Sequence, residues 1–196
     1  MKNFDQGNLL WPTEDEEALT ERVLKALSTS FAIKRQVSGD HPLGKRLRID
    51  AIAKPLDASL WKNKSIALGI EFKSPYLSDP CELTGATAQL IDYSLTTWDG
   101  FGQVPVFLCP GLIHRTAPSS EYNRGFAYAF SRLMKDFNVG ELLEHDFYGW
   151  SFVMAGRHDM WTARNGVTEG RNWSLTPKVG NRGVGKRAPH PKEDAL

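Results

Sequence analysis

Apolar and polar positions alternate most sharply over residues 66–73. Ile66, Leu68, Ile70 and Phe72 make one wholly apolar face, and Ala67, Gly69, Glu71 and Lys73 make the other. A period of two predicts a strand, and an apolar face this complete predicts a central one. Residues 46–53 alternate as well, with Arg46, Arg48 and Asp50 on one face and Leu47, Ile49 and Ala51 on the other. The polar link around Asn63 and Lys64 is short, so these two strands are expected to be antiparallel neighbours with Asp50 level with Glu71 on one face. Residues 31–37 read as an earlier strand that ends at Ser38, Gly39 and Asp40.

A helical period replaces the alternation on either side. Ahead of the strands, a helix running to about Ser30 carries Leu19, Val23, Ala26 and Leu27 as its buried stripe. Thr13 and Glu16 fit a capping box at its start. Glu16 projects onto the centre of the stripe, with Glu17 and Glu21 on its flank. After Ser74 and Pro75, residues 83–98 read as a second helix on which Gln89 and Tyr93, four apart, leave from one side. A buried strand follows at 104–109. A third helix is expected at 120–138, with Tyr122, Phe126, Phe130, Leu133 and Phe137 as its stripe. Residues 147–164 resemble a hairpin with strands at 148–154 and 160–164. The expected class is α/β, with a mixed central β-sheet flanked by helices.

Composition narrows this picture only modestly. A chain of 196 residues suits one domain, placed at 1–176, and 41% hydrophobic with 24% charged residues is ordinary for a globular protein. No apolar run approaches the roughly 20 residues of a membrane span, so no membrane partner is expected. Two distant cysteines, Cys81 and Cys109, outside any Cys-x-x-Cys pattern point to a reduced, cytoplasmic compartment without a cysteine-held metal. The formal net charge is +1, but residues 1–21 hold six acids against one lysine. Residues 177–196 read as a flexible basic tail carrying Lys178, Arg182, Lys186, Arg187 and Lys192. Tracking phosphates and solubilising the terminus are both open to it.

The chemistry concentrates in a few residues. In chain order they are a helix with Glu16, a strand with Asp50, a strand with Glu71 and Lys73, and a helix with Gln89 and Tyr93. Two carboxylates on adjacent strands can hold a hard divalent cation while leaving water positions open. The stretches Arg48-Ile49-Asp50, Gly69-Ile70-Glu71-Phe72-Lys73 and Gln89-Leu90-Ile91-Asp92-Tyr93 resemble the PD-(D/E)xK nuclease superfamily. The last of them is similar to the Gln-x-x-x-Tyr pattern of its lambda exonuclease and RecB-like branch. The resemblance covers roughly residues 14–110.

That resemblance implies a restriction-endonuclease-like core and Mg2+-dependent hydrolysis of DNA, with Mn2+ as a substitute ion. Asp50 and Glu71 would be metal ligands, Lys73 a catalytic group, and Gln89 with Tyr93 would position a terminal phosphate or support the ligands. A first-helix acid, Glu16 before Glu17 or Glu21, would join the metal site. The branch tilts the expectation toward exonuclease action on DNA ends. A restriction-type or junction-resolving endonuclease and a non-catalytic DNA-binding protein are the alternatives. A small stand-alone enzyme, alone or as a homo-oligomer around DNA, fits this length.

Other patterns carry less. Residues 180–186 resemble a phosphate-binding loop, but Arg187 replaces the hydroxyl residue that would reach Mg2+. The five histidines lack metal-ligand spacing, and no Gly-x-Ser-x-Gly supports a serine hydrolase.

Overall fold

The computed structural model describes residues 9–10, 12–76, 80–111, 134, 137–154, 158–168, 178–179 and 182–183. The chain enters through β1 (Leu9–Leu10), α1 (Glu16–Leu27), β2 (Phe31–Asp40), β3 (Arg46–Pro55) and β4 (Leu68–Phe72). It continues through α2 (Pro80–Leu95), β5 (Thr97–Trp98), β6 (Val106–Cys109), β7 (Val139–His145) and β8 (Gly149–Met154). β9 (His158–Thr162), β10 (Gly166–Val167), β11 (Lys178–Val179) and β12 (Arg182–Gly183) complete it. Ten strands form one sheet in the order β10-β9-β8-β7-β6-β4-β3-β2-β5, with β1 pairing to the end of β7. β6 runs parallel to β4 and β7, and the other pairs are antiparallel, so the sheet is mixed and the class is α/β.

The alternation along residues 66–73 survives intact. Ile66, Leu68, Ile70 and Phe72 enter one apolar core with Leu19, Val23 and Leu27 of α1. Ala67 enters a second core on the opposite face, with Leu90 and Tyr93 of α2. β6 divides likewise, Phe107 and Cys109 going to the α1 side and Val106 and Leu108 to the α2 side. Both faces of the sheet's centre are therefore dry, and each helix covers one of them.

Residues 46–53 do not keep one alternation. Ile49 belongs to the α2-side core but Ala51 to the α1-side core, although two residues apart on a strand normally share a face. The expected grouping of Leu47, Ile49 and Ala51 therefore fails at Ala51. On the paired strand β2, Phe31 lies on the α1 side and Val37 on the α2 side. The inversion falls at Gln36, which stands at φ 51, and opposite it at Asp50. A side chain other than glycine, asparagine or aspartate seldom takes a left-handed conformation, and in mid-strand it redirects everything beyond it.

Several boundaries differ from the periodic expectation. α1 starts two residues later than a Thr13 cap would place it, because Asp15 is the N-cap and accepts from the Ala18 N–H at 2.8 Å. The Thr13–Glu16 capping box does not form; the Thr13 N–H goes to Glu14 instead. The helix ends at Leu27 rather than near Ser30, and Ala26 is exposed while Leu24 is buried. α2 stops at Leu95 because Thr97 and Trp98 are drawn into pairing with Asp40 and Gly39 of β2. β7 was not expected: Leu142 and Leu143 are adjacent and both buried, so it shows no alternation. Of the helix expected at 120–138, only Met134, Phe137 and Asn138 are among the described residues. Of the tail expected to be flexible, the described residues are β11 and β12, which pair with each other apart from the main sheet. No described helix is long and apolar enough to cross a membrane.

Candidate active site

β3 and β4 pair antiparallel with Ala51 opposite Ile70 and Ile52 opposite Gly69. Continuing that register by one residue sets Asp50 opposite Glu71 at the C-terminal end of β4. Asp50 is half-buried and both of its oxygens are engaged. Oδ2 accepts the Phe72 N–H at 2.9 Å, and Oδ1 accepts from Gln36 Nε2 at 3.2 Å. Its carboxylate is thus anchored from the strand on either side.

Glu71 is 4% exposed. Its Oε1 accepts from Lys73 Nζ at 2.7 Å and from Gln89 Nε2 at 2.9 Å. Its Oε2 is buried without a hydrogen bond among the described residues. Burial, and next the Asp50 charge, push its pKa up to about 7, against the opposing pull of Lys73. Two carboxylates this close resist simultaneous ionisation unless a proton or a cation sits between them.

α2 presents Gln89 and Tyr93 from one side, as the four-residue spacing predicts. Gln89 Nε2 also donates to the Tyr93 hydroxyl at 2.7 Å, and Tyr93 passes its own proton to the Arg48 carbonyl at 2.8 Å. A chain of bonds therefore runs from the β3 backbone through Tyr93 and Gln89 to Glu71. Burial, and next the Glu71 charge, push the Tyr93 pKa up to about 12, so its hydroxyl stays a donor. Gln89 thus bonds Glu71 directly, and Tyr93 reaches it only through Gln89.

α1 forms the wall on the other face. A cleft of about 300 Å3 is lined by Glu16, Glu17, Thr20, Arg35, Gln36, Asp50 and Phe72. Arg22 fixes this helix end, donating to Glu14 and to Glu144 of β7 at 2.7 Å each, with its guanidinium over the Trp150 ring. Tyr76, three residues past Lys73, donates its hydroxyl to the Thr13 carbonyl. Glu16 and Glu17 are exposed and share the cleft with Asp50, whereas Glu21 pairs with Arg35 on the surface. Among the described residues, no three His, Cys, Asp or Glu side chains gather into a metal-binding group. The structure thus unites Asp50, Glu71, Lys73, Gln89 and Tyr93 and leaves Glu16 at the cleft wall.

The donor chemistry fits a hard divalent cation. Asp50 and Glu71 are oxygen donors from adjacent strands, and the orphaned Glu71 Oε2 is a buried anionic oxygen that needs a proton or a cation. Gln36 escaped the sequence reasoning. It sits inside a predicted strand, and nothing in the local pattern marks a left-handed glutamine. Gly69, two residues before Glu71 on β4, makes room for two neighbouring side chains. A Cβ there would lie 2.8 Å from Ile49 Cδ1 and 3.2 Å from Val104 Cγ2, so the missing side chain admits those two. Comparison with protein-family models, with curated proteins and with solved structures gives no match to this chain.

Proposed function

We propose that this chain is a Mg2+-dependent DNA nuclease on a restriction-endonuclease-like core. The observation that carries the proposal is the buried Glu71, with one unpartnered oxygen, set against Asp50 on the next strand and Lys73 two residues on. The element order supports the core: α1, three antiparallel strands β2, β3 and β4, then α2 crossing to the parallel β6, with the helices on opposite faces.

Asp50 and Glu71 would hold the ion, which when bound supplies Lewis acidity that makes water nucleophilic and neutralises phosphoryl oxygens. Lys73 Nζ, held at Glu71 Oε1, is placed to orient the attacking water and to stabilise charge growing on the transferring group. Gln89 and Tyr93 keep Glu71 from swinging, and Gln36 with the Phe72 N–H does the same for Asp50. Glu16 and Glu17 border the cleft through which the strand would enter, outside the immediate ligand pair.

The Gln89–Tyr93 pattern directs the proposal to exonuclease action on DNA ends. Linear and closed-circular DNA, each incubated with Mg2+, test it. Loss of the linear form alone is the expected result, and nicking of both makes the enzyme an endonuclease. Tight binding without cleavage makes it a DNA-binding protein and removes catalysis from the proposal. Lys73→Ala and Asp50→Asn should each abolish cleavage while the folded state persists by circular dichroism. Undiminished cleavage by either variant places the site elsewhere.

A further inference from the structure

We infer that Gln36 is a positioning residue for Asp50, and that the left-handed backbone at Gln36 is retained for that purpose. The inference rests on Asp50 being a cation ligand. Glycine would take φ 51 without strain, and asparagine nearly so. The chain instead places a longer amide there, in the middle of the ten-residue strand β2. That amide lines the cleft and donates to Asp50 Oδ1 at 3.2 Å, while the Phe72 N–H occupies Oδ2 at 2.9 Å.

The two donors act on different oxygens and come from opposite sides of β3. Together they fix the plane of the carboxylate, and neither alone would stop its rotation about the Cβ–Cγ bond. Each oxygen keeps a second lone pair, so a cation can still be bound. The left-handed turn is also what brings Gln36 into the cleft, because the facing of both β2 and β3 inverts at this level. Strained backbone maintained against an easier alternative is a recurrent mark of a ligand clamp.

Gln36→Gly separates the backbone from the amide, since it relieves the strain and deletes the donor. The cation-free variant should melt at or above the wild-type temperature. Its Mn2+ affinity, read by titration calorimetry, should fall about tenfold, because Asp50 must then be ordered by the ion itself. Turnover of DNA should fall with it while KM for DNA stays near the wild-type value. A variant that melts lower than the wild type makes Gln36 a purely structural residue and overturns the inference. Mn2+ affinity equal to wild type overturns the positioning role and leaves the cation site standing. Absence of Mn2+ binding to the wild-type protein removes the cation site itself, and the inference with it.

Discussion

At the scale of single residues the protein carries a cost that its chemistry explains. Glu71 is buried among apolar strands with Asp50 beside it, and its pKa is raised to about 7 from an ordinary 4.5. The folded protein therefore holds this proton more tightly than the unfolded chain does. Its favourable contribution is complete below about pH 4.5 and is lost as pH rises through about 7, a change of order 3 kcal/mol. A cation between the carboxylates, as proposed, would replace the proton and restore the loss. The melting temperature should consequently rise more with Mg2+ at pH 8 than at pH 5. Glu71→Gln should abolish the dependence on both, because the amide keeps the acceptor for Lys73 and Gln89 and turns a neutral donor toward Asp50. Without cation at pH 8 the variant should melt above the wild type by about 5 °C or more. Equal Mg2+ shifts at pH 5 and pH 8, measured by differential scanning calorimetry, would refute this assignment. The left-handed Gln36 carries a further backbone cost of about 1–2 kcal/mol at the same site.

At the scale of elements, the strand β4 positions the site because three of its neighbours press on it at once. Gly69 lies one turn of the pleat before Glu71, and its missing side chain lets the fully buried Ile49 and the neighbouring Val104 approach. Gly69→Ala puts a methyl group 2.8 Å from Ile49 Cδ1, so the end of that side chain must shift to admit it, and should cost about 1–3 kcal/mol. Ile49→Val deletes that same Cδ1, so the double variant should regain most of the loss, a coupling that denaturant titration of the four proteins measures. Additive losses would mean that Val104 or the Pro105 backbone sets the limit instead. Much of this element was legible beforehand. A strict period of two put Ile66, Leu68, Ile70 and Phe72 in one core, and a four-residue spacing put Gln89 and Tyr93 on one side of α2. What escaped was non-local. Trp98 continues a helical pattern but is claimed by Gly39 of β2, and Ala51 changes face because Gln36 turns left-handed on the partner strand. Thr13 and Asp15 are both sound N-caps in sequence, and only the fold selects Asp15.

At the scale of the whole molecule, the site sits where the C-terminal end of the central strand β4 meets two helices that cover opposite faces of the sheet. β4, β6 and β7 run parallel, so their C-terminal ends lie on the same side, and Arg22 ties α1 to β7 through Glu144. The electrostatic consequence is unfavourable for a polyanion. Asp50, Glu16 and Glu17 line the cleft with Arg35, which pairs with Glu21, and six acids fall within residues 1–21 of a chain whose net charge is only +1. A DNA strand entering the ion-free site would meet this negative field. Affinity for DNA should therefore be controlled by the cation rather than by the overall charge. Lys73→Ala isolates the effect, since it keeps both carboxylates but removes the group to which the proposed hydrolysis assigns the attacking water. Fluorescence anisotropy with end-labelled DNA should show at least tenfold tighter binding by this variant in Mg2+ than in EDTA, a difference of about 1.4 kcal/mol. Adding Asp50→Asn to it should weaken the Mg2+ response while improving binding in EDTA, because one negative charge has left the cleft. The opposite ordering, with Mg2+ weakening binding as an added salt weakens any phosphate contact, would mean that DNA is held away from the carboxylates and that the cleft is not its entry.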